Sequence, residues 1–104
     1  MRAKVLRYAP EARQDLADIR AYFHSRAGPA VAARMLVRLR EAVAAIRDQP
    51  LTGTPRPEFG ANCRFAVERP YVIYYDFDGG QLAMLRILHQ ARDRGAIMSR
   101  LKRD

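Results

Sequence analysis

The stretch YVIYYDFDGGQLAMLRILH, residues 71–89, has the pattern of two strands joined by a tight turn, which makes it the strongest structural signal in the sequence. Residues 71–77 and 81–89 are rich in β-branched, aromatic and other apolar side chains, a composition that favours strands. Asp78, Gly79 and Gly80 lie between them, and glycine readily supplies the positive φ angles that two-residue hairpin turns require. The segment therefore predicts a β-hairpin.

A third strand is predicted directly before this hairpin, from Asn62 to Arg69, since Pro70 interrupts the pattern ahead of Tyr71. The preceding segment, QPLTGTPRPEFG from Gln49 to Gly60, contains three prolines and two glycines. That composition is typical of a loop, so the period-2 part of the chain is expected to begin only after Gly60.

Two helices are predicted upstream of the loop. Pro10 fits the first turn of a helix, where its missing N–H would have no partner in any case. Apolar residues then recur at the spacing of one helix face, at Ala12, Leu16, Ile19 and Phe23. Gly28-Pro29 separates this helix from a second, running from Ala30 to about Asp48. The apolar face of the second helix is predicted to consist of Val31, Met35, Leu39, Ala42, Val43 and Ile46.

The order of elements indicates one α+β domain over residues 1–104. Ala3 to Tyr8 is a short β-prone segment, and the tail from Asp93 to Lys102 is weakly helical. The predicted order is β-α-α-β-β-β with a short C-terminal tail or helix. The helical hairpin is expected to pack on one face of an antiparallel sheet.

Strand alternation predicts which side chains share a face of the sheet. Two sets of side chains are expected to pack on the helices. In the strand predicted from Asn62 to Arg69 the set is Cys63, Phe65 and Val67. In the last strand it is Ala83, Leu85, Ile87 and His89. This arrangement would leave Arg64 and Arg86 on the open face as a candidate functional surface. The alternative is that both arginines lie along the apolar surface or pair with local acids such as Asp76 or Glu68.

The charge balance predicts an acidic partner. The chain has 19 Lys and Arg residues against 11 Asp and Glu, a net charge of +8 at pH 7. Nearly all the basic residues are arginines, which pair in bidentate fashion with carboxylates and phosphates. Nucleic acid and an acidic protein surface both fit this excess. A GC-rich genome is an alternative cause of the preference for Arg over Lys, but it does not explain the net charge.

Several classes of protein are disfavoured by composition. The single Cys63 excludes an internal disulfide and a multi-cysteine zinc site, so a buried strand residue in a reducing cytoplasm is the expectation. No apolar run has the length of a membrane span, and the N-terminus lacks the apolar region of a signal peptide. With two isolated histidines and no glycine-rich phosphate loop, we expect no metal and no cofactor.

Four separated motifs resemble the ParE toxins of the RelE/ParE family of bacterial type II toxin–antitoxin systems. They are APEARQDLADIRAYF at residues 9–23, QPLTGTPRPEFGANCRF at 49–65, YVIYYDF at 71–77 and RILHQARD at 86–93. The last is close to the family's signature of an Arg, a strand and then His-x-x-Arg-Asp. The resemblance runs from about Ala3 to Asp93, and the predicted element order is that family's fold.

This resemblance implies a cytoplasmic toxin that poisons DNA gyrase and so blocks replication. It also implies a ParD-like antitoxin whose C-terminal segment wraps the toxin while its N-terminal part binds DNA, so that the toxin contacts DNA only indirectly. No independent catalytic site is expected. The carboxylates of the antitoxin are expected at Arg34, Arg38, Arg64 and Arg86. The basic C-terminal region is expected to engage the target through Arg92, Arg94, Arg100, Lys102 and Arg103.

Two alternatives remain open. RelE relatives are ribosome-dependent mRNA endoribonucleases, and their chemistry needs a general base, a general acid and cations beside one phosphate. The candidate residues for that role here are Arg64, Tyr74, Arg86, His89 and Arg92. However, His89 is predicted to be a structural residue at the strand end, and the tail lacks the Tyr or His that many of these nucleases carry. A basic nucleic-acid-binding module is the other alternative, although no recognition helix or aromatic stacking motif is visible.

Overall fold

The computed structural model describes residues 1–93 and Gly95. Two helices pack on a sheet of five strands, which confirms the predicted α+β class. Strand β1 (Val5–Tyr8) leads into helices α1 (Pro10–Ala27) and α2 (Pro29–Asp48). The remaining strands are β2 (Thr54–Pro55), β3 (Cys63–Glu68), β4 (Tyr71–Asp78) and β5 (Gln81–His89). Neither helix has the length and apolar character that crossing a membrane would require.

The sheet is mixed rather than wholly antiparallel. Its strand order is β1-β5-β4-β3-β2. The pairs β2–β3, β3–β4 and β4–β5 are antiparallel. β1 instead pairs in parallel with the first half of β5, from Gln81 to Met84. The short β2 and a 3₁₀ turn at Pro57–Phe59 lie inside the segment predicted to be a loop. The strand was missed because two residues carry no recognisable alternation.

The two helices form an antiparallel hairpin around a single glycine. Pro10 stands in the first turn of α1, and Pro29 in the first turn of α2, as the missing N–H of proline favours. Gly28 between them has a φ of +89°, a value that L side chains rarely adopt. Its N–H closes the end of α1 by donating to the His24 carbonyl at 3.0 Å. The predicted hairpin is therefore confirmed.

The main core lies between the helices and one face of the sheet. From β4 it receives Tyr71, Ile73 and Tyr75, which alternate as a strand requires. The helices and β5 complete it with Ala12, Ile19, Leu36, Leu39, Val43, Ile46, Leu82, Met84 and Ile87. At the far end of the hairpin β4–β5, Gly79 and Gly80 have φ of +57° and +84°, the geometry predicted for this turn.

A second apolar cluster lies on the opposite face of the sheet. Cys63, Val72, Tyr74 and Leu88 are buried there, with Phe59, Phe65 and Leu85 packed against them. The prediction that Cys63 is buried is confirmed, but the prediction that Cys63 and Phe65 face the helices is wrong. Apolar side chains occupy both faces of this sheet, so alternation alone could not identify the face that the helices cover.

Candidate functional site

Arg86 stands opposite Tyr74 in the β4–β5 pairing, but its guanidinium is bound to helix α1 and is not presented on the open face, which corrects the prediction. Its Nε and Nη2 atoms donate to the two carboxylate oxygens of Asp15 at 2.8 and 3.0 Å. The Asp15 side chain is 11% exposed, whereas that of Arg86 is 34% exposed. The hydrogen bonds to Asp15 raise the pKa of Arg86 above its ordinary value, so the guanidinium stays protonated at neutral pH. Asp15 was not among the site residues predicted from the sequence.

The position of Asp15 follows from the length of β1. β1 pairs with β5 only as far as Met84, so beyond that point the outer edge of β5 has no strand neighbour among residues 1–93. Asp15 takes the place of a strand there, because its carboxylate accepts the Ile87 backbone N–H at 2.9 Å. We call Asp15, Arg86 and the Ile87 N–H the β5 edge clamp. A buried carboxylate with three such donors is an ordinary structural anchor.

A bulge in β5 explains why parity assigned Leu85 to the helix-covered face, although its side chain packs in the second cluster. Tyr75 pairs with Met84, but Tyr74 pairs with Arg86, so Leu85 is the additional residue. Such an insertion shifts the phase of all residues beyond it. Met84 and Ile87 therefore both contribute to the main core although three positions separate them. The sequence around Leu85 carries no glycine or proline that would have indicated the bulge.

Arg64 lies on the face of the sheet that carries the main core, and its prediction on the open face is also wrong. It stands opposite Tyr75 in the β3–β4 pairing. Its Nη1 atom donates to the carbonyls of Leu51 and Gly53 at 3.1 and 2.8 Å. Arg64 therefore holds the loop before β2 in place, and at least this side of its guanidinium is occupied within the fold.

Tyr74 lies on the opposite face of the sheet, where only 5% of the residue is exposed. Its ring packs against Phe59 and Phe65 at centroid distances of 5.3 and 6.1 Å. Burial raises the pKa of the Tyr74 hydroxyl, which opposes the loss of its proton at neutral pH. Tyr74 and the guanidinium of Arg86 consequently serve different parts of the fold.

His89 ends strand β5, on the core side as strand parity predicted. Its ring stands edge-on to Tyr71, with centroids 5.5 Å apart. The Nδ1 atom accepts the backbone N–H groups of Ala91 and Arg92 at 3.1 and 3.0 Å, so a neutral ring carries its proton on Nε2. The His89 N–H in turn donates to Asp93 at 2.6 Å. The imidazole therefore shapes the turn that follows the strand.

Arg92 is exposed, and its guanidinium carbon lies 4.3 Å from the centre of the Tyr22 ring. Its Nη2 atom donates to the Tyr71 hydroxyl at 3.2 Å. The other predicted target-binding residues, Arg94, Arg100, Lys102 and Arg103, lie outside the residues that the structure describes. Their assignment stays a prediction.

Arg34 and Arg38 lie one turn apart on α2, which places them on the same side of the helix. The Arg38 side chain binds the end of β3, where its Nε donates to Glu68 at 2.9 Å and its Nη2 to the Arg69 carbonyl. Arg38 is nearly half exposed, so this ion pair is open to competition by a partner's carboxylate. Arg34 is exposed.

A groove of about 540 Å³ runs between the outer sides of α1 and α2. Its lining combines small and apolar residues with basic ones: Leu16, Ala17, Ala32, Ala33, Leu36 and Val37 on one hand, and Arg20, Arg40 and His24 on the other. We call this the hairpin groove. Sequence analysis missed it, although the alanines at positions 17, 32 and 33 were a signal that the two helices leave space there.

The candidate catalytic residues come from several parts of the fold. No group of three or more His, Cys, Asp or Glu side chains within residues 1–93 is placed to hold a metal ion. Of the predicted nuclease set, Arg86 and Arg92 line one cavity between α1 and β5, and His89 ends β5. Arg64 and Tyr74 lie on opposite faces of the sheet.

Comparisons with known proteins agree with this fold. A chain of the chromosomal ParDE toxin–antitoxin system from P. aeruginosa is similar with a TM-score of 0.71 and 24% identity, over 84% of this chain and 96% of that one. A chain of the RelBE2 toxin–antitoxin complex from Mycobacterium tuberculosis has a TM-score of 0.62 and 23% identity, over 88% and 95%. No curated protein sequence is significantly similar.

The two solved structures establish a shared α+β fold. The sequence model of the family described as ParE toxin of type II toxin–antitoxin system, parDE, matches residues 6–94. The chain belongs to this ParE toxin family.

Proposed function

We propose that the chain acts in the cytoplasm as a toxin that inhibits DNA gyrase by binding, and that a ParD-like antitoxin neutralises it. The observation that carries this proposal is the engagement of the candidate nuclease residues within the fold. RNA cleavage by a RelE-type mechanism needs a base, an acid and cations around one phosphate. Here Arg86 is paired with Asp15, His89 binds two backbone N–H groups through Nδ1, and Tyr74 is buried.

The hairpin groove is the part of this surface that best suits an antitoxin segment. An amphipathic helix could place small apolar side chains against Ala17 and Ala33 and direct carboxylates to Arg20 and Arg40. The net charge of +8 favours such an acidic segment through attraction during association. Arg38, whose ion pair with Glu68 is open to solvent, is a further binding site for a carboxylate of the antitoxin.

The target is tested by two assays with the purified protein. We expect inhibition of supercoiling by gyrase and no cleavage of ribosome-bound mRNA. In cells without antitoxin, the same mechanism predicts filamentation with DNA damage signalling. Prompt arrest of translation with cleaved mRNA, and gyrase unaffected, would replace the proposal by the ribonuclease alternative.

The variant His89→Asn distinguishes a catalytic role of His89 from a structural one. The Asn carbonyl can occupy the place of Nδ1 and accept the N–H groups of Ala91 and Arg92, but it cannot act as a base. The variant is expected to keep full toxicity. His89→Ala, which removes the acceptor, serves as the structural control and is expected to lower thermal stability. A folded His89→Asn protein without toxicity would contradict a binding mechanism.

Antitoxin binding is tested in the hairpin groove with Ala33→Glu, which adds bulk and negative charge where an acidic helix is expected. The predicted loss of affinity is at least 100-fold, about 2.7 kcal/mol. Ala45→Glu is the matched control, because Ala45 is exposed on the same helix and does not line the groove. Equal affinities of the two variants for the antitoxin would exclude the groove as its site.

A further inference from the structure

Two arginines from distant parts of the chain meet at one aromatic ring. Tyr22 and Arg26 lie one turn apart near the end of α1, and Arg92 follows β5. The guanidinium carbons of Arg26 and Arg92 lie 4.2 and 4.3 Å from the centre of the Tyr22 ring. The sum of these distances, about 8.5 Å, is the upper limit of their separation. The ring's electron-rich π system attracts both cations and limits their freedom.

The positive charge of this pair is not neutralised within the described part of the chain. Neither Arg26 nor Arg92 forms an ion pair with a carboxylate of residues 1–93. Both are exposed, and each guanidinium has five N–H donors, of which Arg92 uses one for the Tyr71 hydroxyl. Two preplaced cations with free donors are suited to bind anionic groups.

A cavity of about 370 Å³ adjoins these residues, between α1 and β5. Tyr22 and Arg92 are in its lining, and Ile19, Ile87 and Leu88 contribute apolar surface.

Three aspartates also line the cavity, and each already accepts a hydrogen bond. Asp15 belongs to the β5 edge clamp, Asp18 accepts from Gln14, and Asp93 accepts from the His89 N–H. The wall thus combines apolar surface and carboxylates with the cations Arg86, which is paired with Asp15, and Arg92.

We propose that Arg26, Tyr22 and Arg92, with the adjoining cavity, form a docking surface for an acidic segment of a protein partner. Two carboxylates of the segment pair with the two guanidiniums, and an apolar side chain between or beside them enters the cavity. Alternate residues of an extended segment are about 6.7 Å apart, which is compatible with the limit on the separation of the two cations.

The cavity wall favours a polypeptide over a nucleic acid. A nucleic-acid strand carries one phosphate per residue, with a charge about every 3.4 Å along each strand of a duplex, and cannot avoid the aspartates at 15, 18 and 93. A peptide places its few carboxylates where the cations are and can direct backbone N–H groups or an apolar side chain towards the aspartates and the isoleucines.

This surface is distinct from the hairpin groove. The cavity is lined by positions 15, 18, 19 and 22 of α1, whereas positions 16, 17, 20 and 24 line the groove. The two sites therefore use different sides of the same helix. The inference does not depend on gyrase or on an antitoxin, since it concerns binding of an acidic segment by the chain alone.

The test uses a fluorescent peptide of alternating Glu and Leu and the same peptide with Gln for Glu. We expect the full chain to bind the acidic peptide at least about tenfold more tightly, by an amount that falls with salt. Arg26→Gln with Arg92→Gln should lower the affinity for the acidic peptide at least about tenfold. Arg7→Gln with Arg13→Gln, which removes the same charge from exposed positions, is the matched control and should change it less than about twofold.

Two further variants keep the result interpretable. Arg26→Glu alters a side chain whose described contact is the Tyr22 ring, so the fold should persist while peptide affinity falls at least about tenfold. Tyr22→Leu retains both charges but removes the ring, and a loss of about threefold would show that preplacement contributes.

Three outcomes would overturn the inference. The first is equal loss of peptide affinity in the double variant and its control. The second is a single-stranded oligonucleotide that displaces the peptide and depends more strongly on Arg26 and Arg92, which would assign the surface to nucleic acid. The third is a salt-sensitive dimer lost in Arg26→Glu, which would assign it to a second copy of this chain.

Discussion

Substitution of Asp15 by Asn is the sharpest test of how this fold is held together. The change keeps the shape of the side chain but removes its charge and replaces one oxygen by an N–H donor. One carboxylate oxygen accepts from Arg86 Nη2, and the other accepts from Arg86 Nε and the Ile87 N–H. An amide can satisfy only one of these two sides, so at least one donor at the β5 edge loses its acceptor.

The magnitude follows from burial and from the number of donors. A hydrogen bond to a charged group contributes about 1.5–3 kcal/mol, and removing one member of a buried ion pair costs about 3–5 kcal/mol. Asp15 is nearly buried, but a third of the Arg86 side chain is exposed, so water can replace part of what Arg86 loses. We expect a decrease of about 2 kcal/mol in the free energy of unfolding. In a domain of this size that lowers Tm by roughly 8–16 °C.

Urea denaturation at pH 7 measures this loss directly. Asp18→Asn is the matched control, because Asp18 is exposed and accepts only from the Gln14 side chain; it should change stability by less than about 0.5 kcal/mol. Combining Asp15→Asn with Arg86→Gln should cost less than the sum of the single changes, since no guanidinium is then left without its partner. If Asp15→Asn unfolded at the same urea concentration as the wild type, the β5 edge clamp would not stabilise the fold as argued.

Further predictions concern the buried tyrosines and the cysteine. The Tyr75 hydroxyl donates to the Pro50 carbonyl at 2.8 Å and accepts the Gly53 N–H at 3.0 Å. Tyr75→Phe should therefore lower the free energy of unfolding, measured by urea denaturation, by about 1–3 kcal/mol. Tyr74→Phe should lower it by less than about 0.5 kcal/mol. Burial raises the pKa of Tyr75, so the unfolded chain releases this proton first. The contribution of Tyr75 to the free energy of unfolding should therefore be fully present below pH 10 and decrease above it, by up to about 1.4 kcal/mol per pH unit. The free energy of unfolding of Tyr75→Phe should decrease less steeply over the same range. The buried Cys63 should react with a thiol reagent only as the protein unfolds; rapid labelling of the native protein would contradict its burial.

Local patterns predicted the elements well because each depends on neighbouring residues. Pro10 and Gly28-Pro29 delimit the helices in the structure within one residue of the prediction. The strand from Gln81 to His89 has the predicted bounds. Proline and glycine act through their own backbone conformations, so these signals remain valid whatever the rest of the chain does.

The faces of the strands could not be predicted, because they depend on the tertiary structure. β3 and β5 carry apolar residues on both sides, and nothing in either strand indicates which side meets the helices. The bulge at Leu85 then changed the phase within β5. Arg64 was misplaced for the first reason and Leu85 for the second. The guanidinium of Arg86 is instead held by Asp15 of α1, a tertiary contact that alternation cannot predict, and Arg64 binds backbone carbonyls.

The contacts at the Tyr22 ring could be predicted from the sequence only in part. Tyr22 and Arg26 stand four residues apart on a helix, a spacing that predicts contact from the sequence alone. Arg92 reaches the same ring from a point 70 residues later in the chain. Contacts of that separation require the fold, and so the pair of cations becomes visible only in three dimensions.

Helix α1 connects the structural and the binding features of the molecule. Its inner side contributes Ala12 and Ile19 to the main core, and Asp15 fixes it to the edge of β5. One flank lines the hairpin groove, and the other lines the cavity beside Tyr22. A helix anchored in this way presents both flanks as one rigid element, so a ligand on one side need not displace the other. Binding free energies at the two surfaces should then be nearly additive, because coupling would require a second arrangement of α1 that the clamp disfavours.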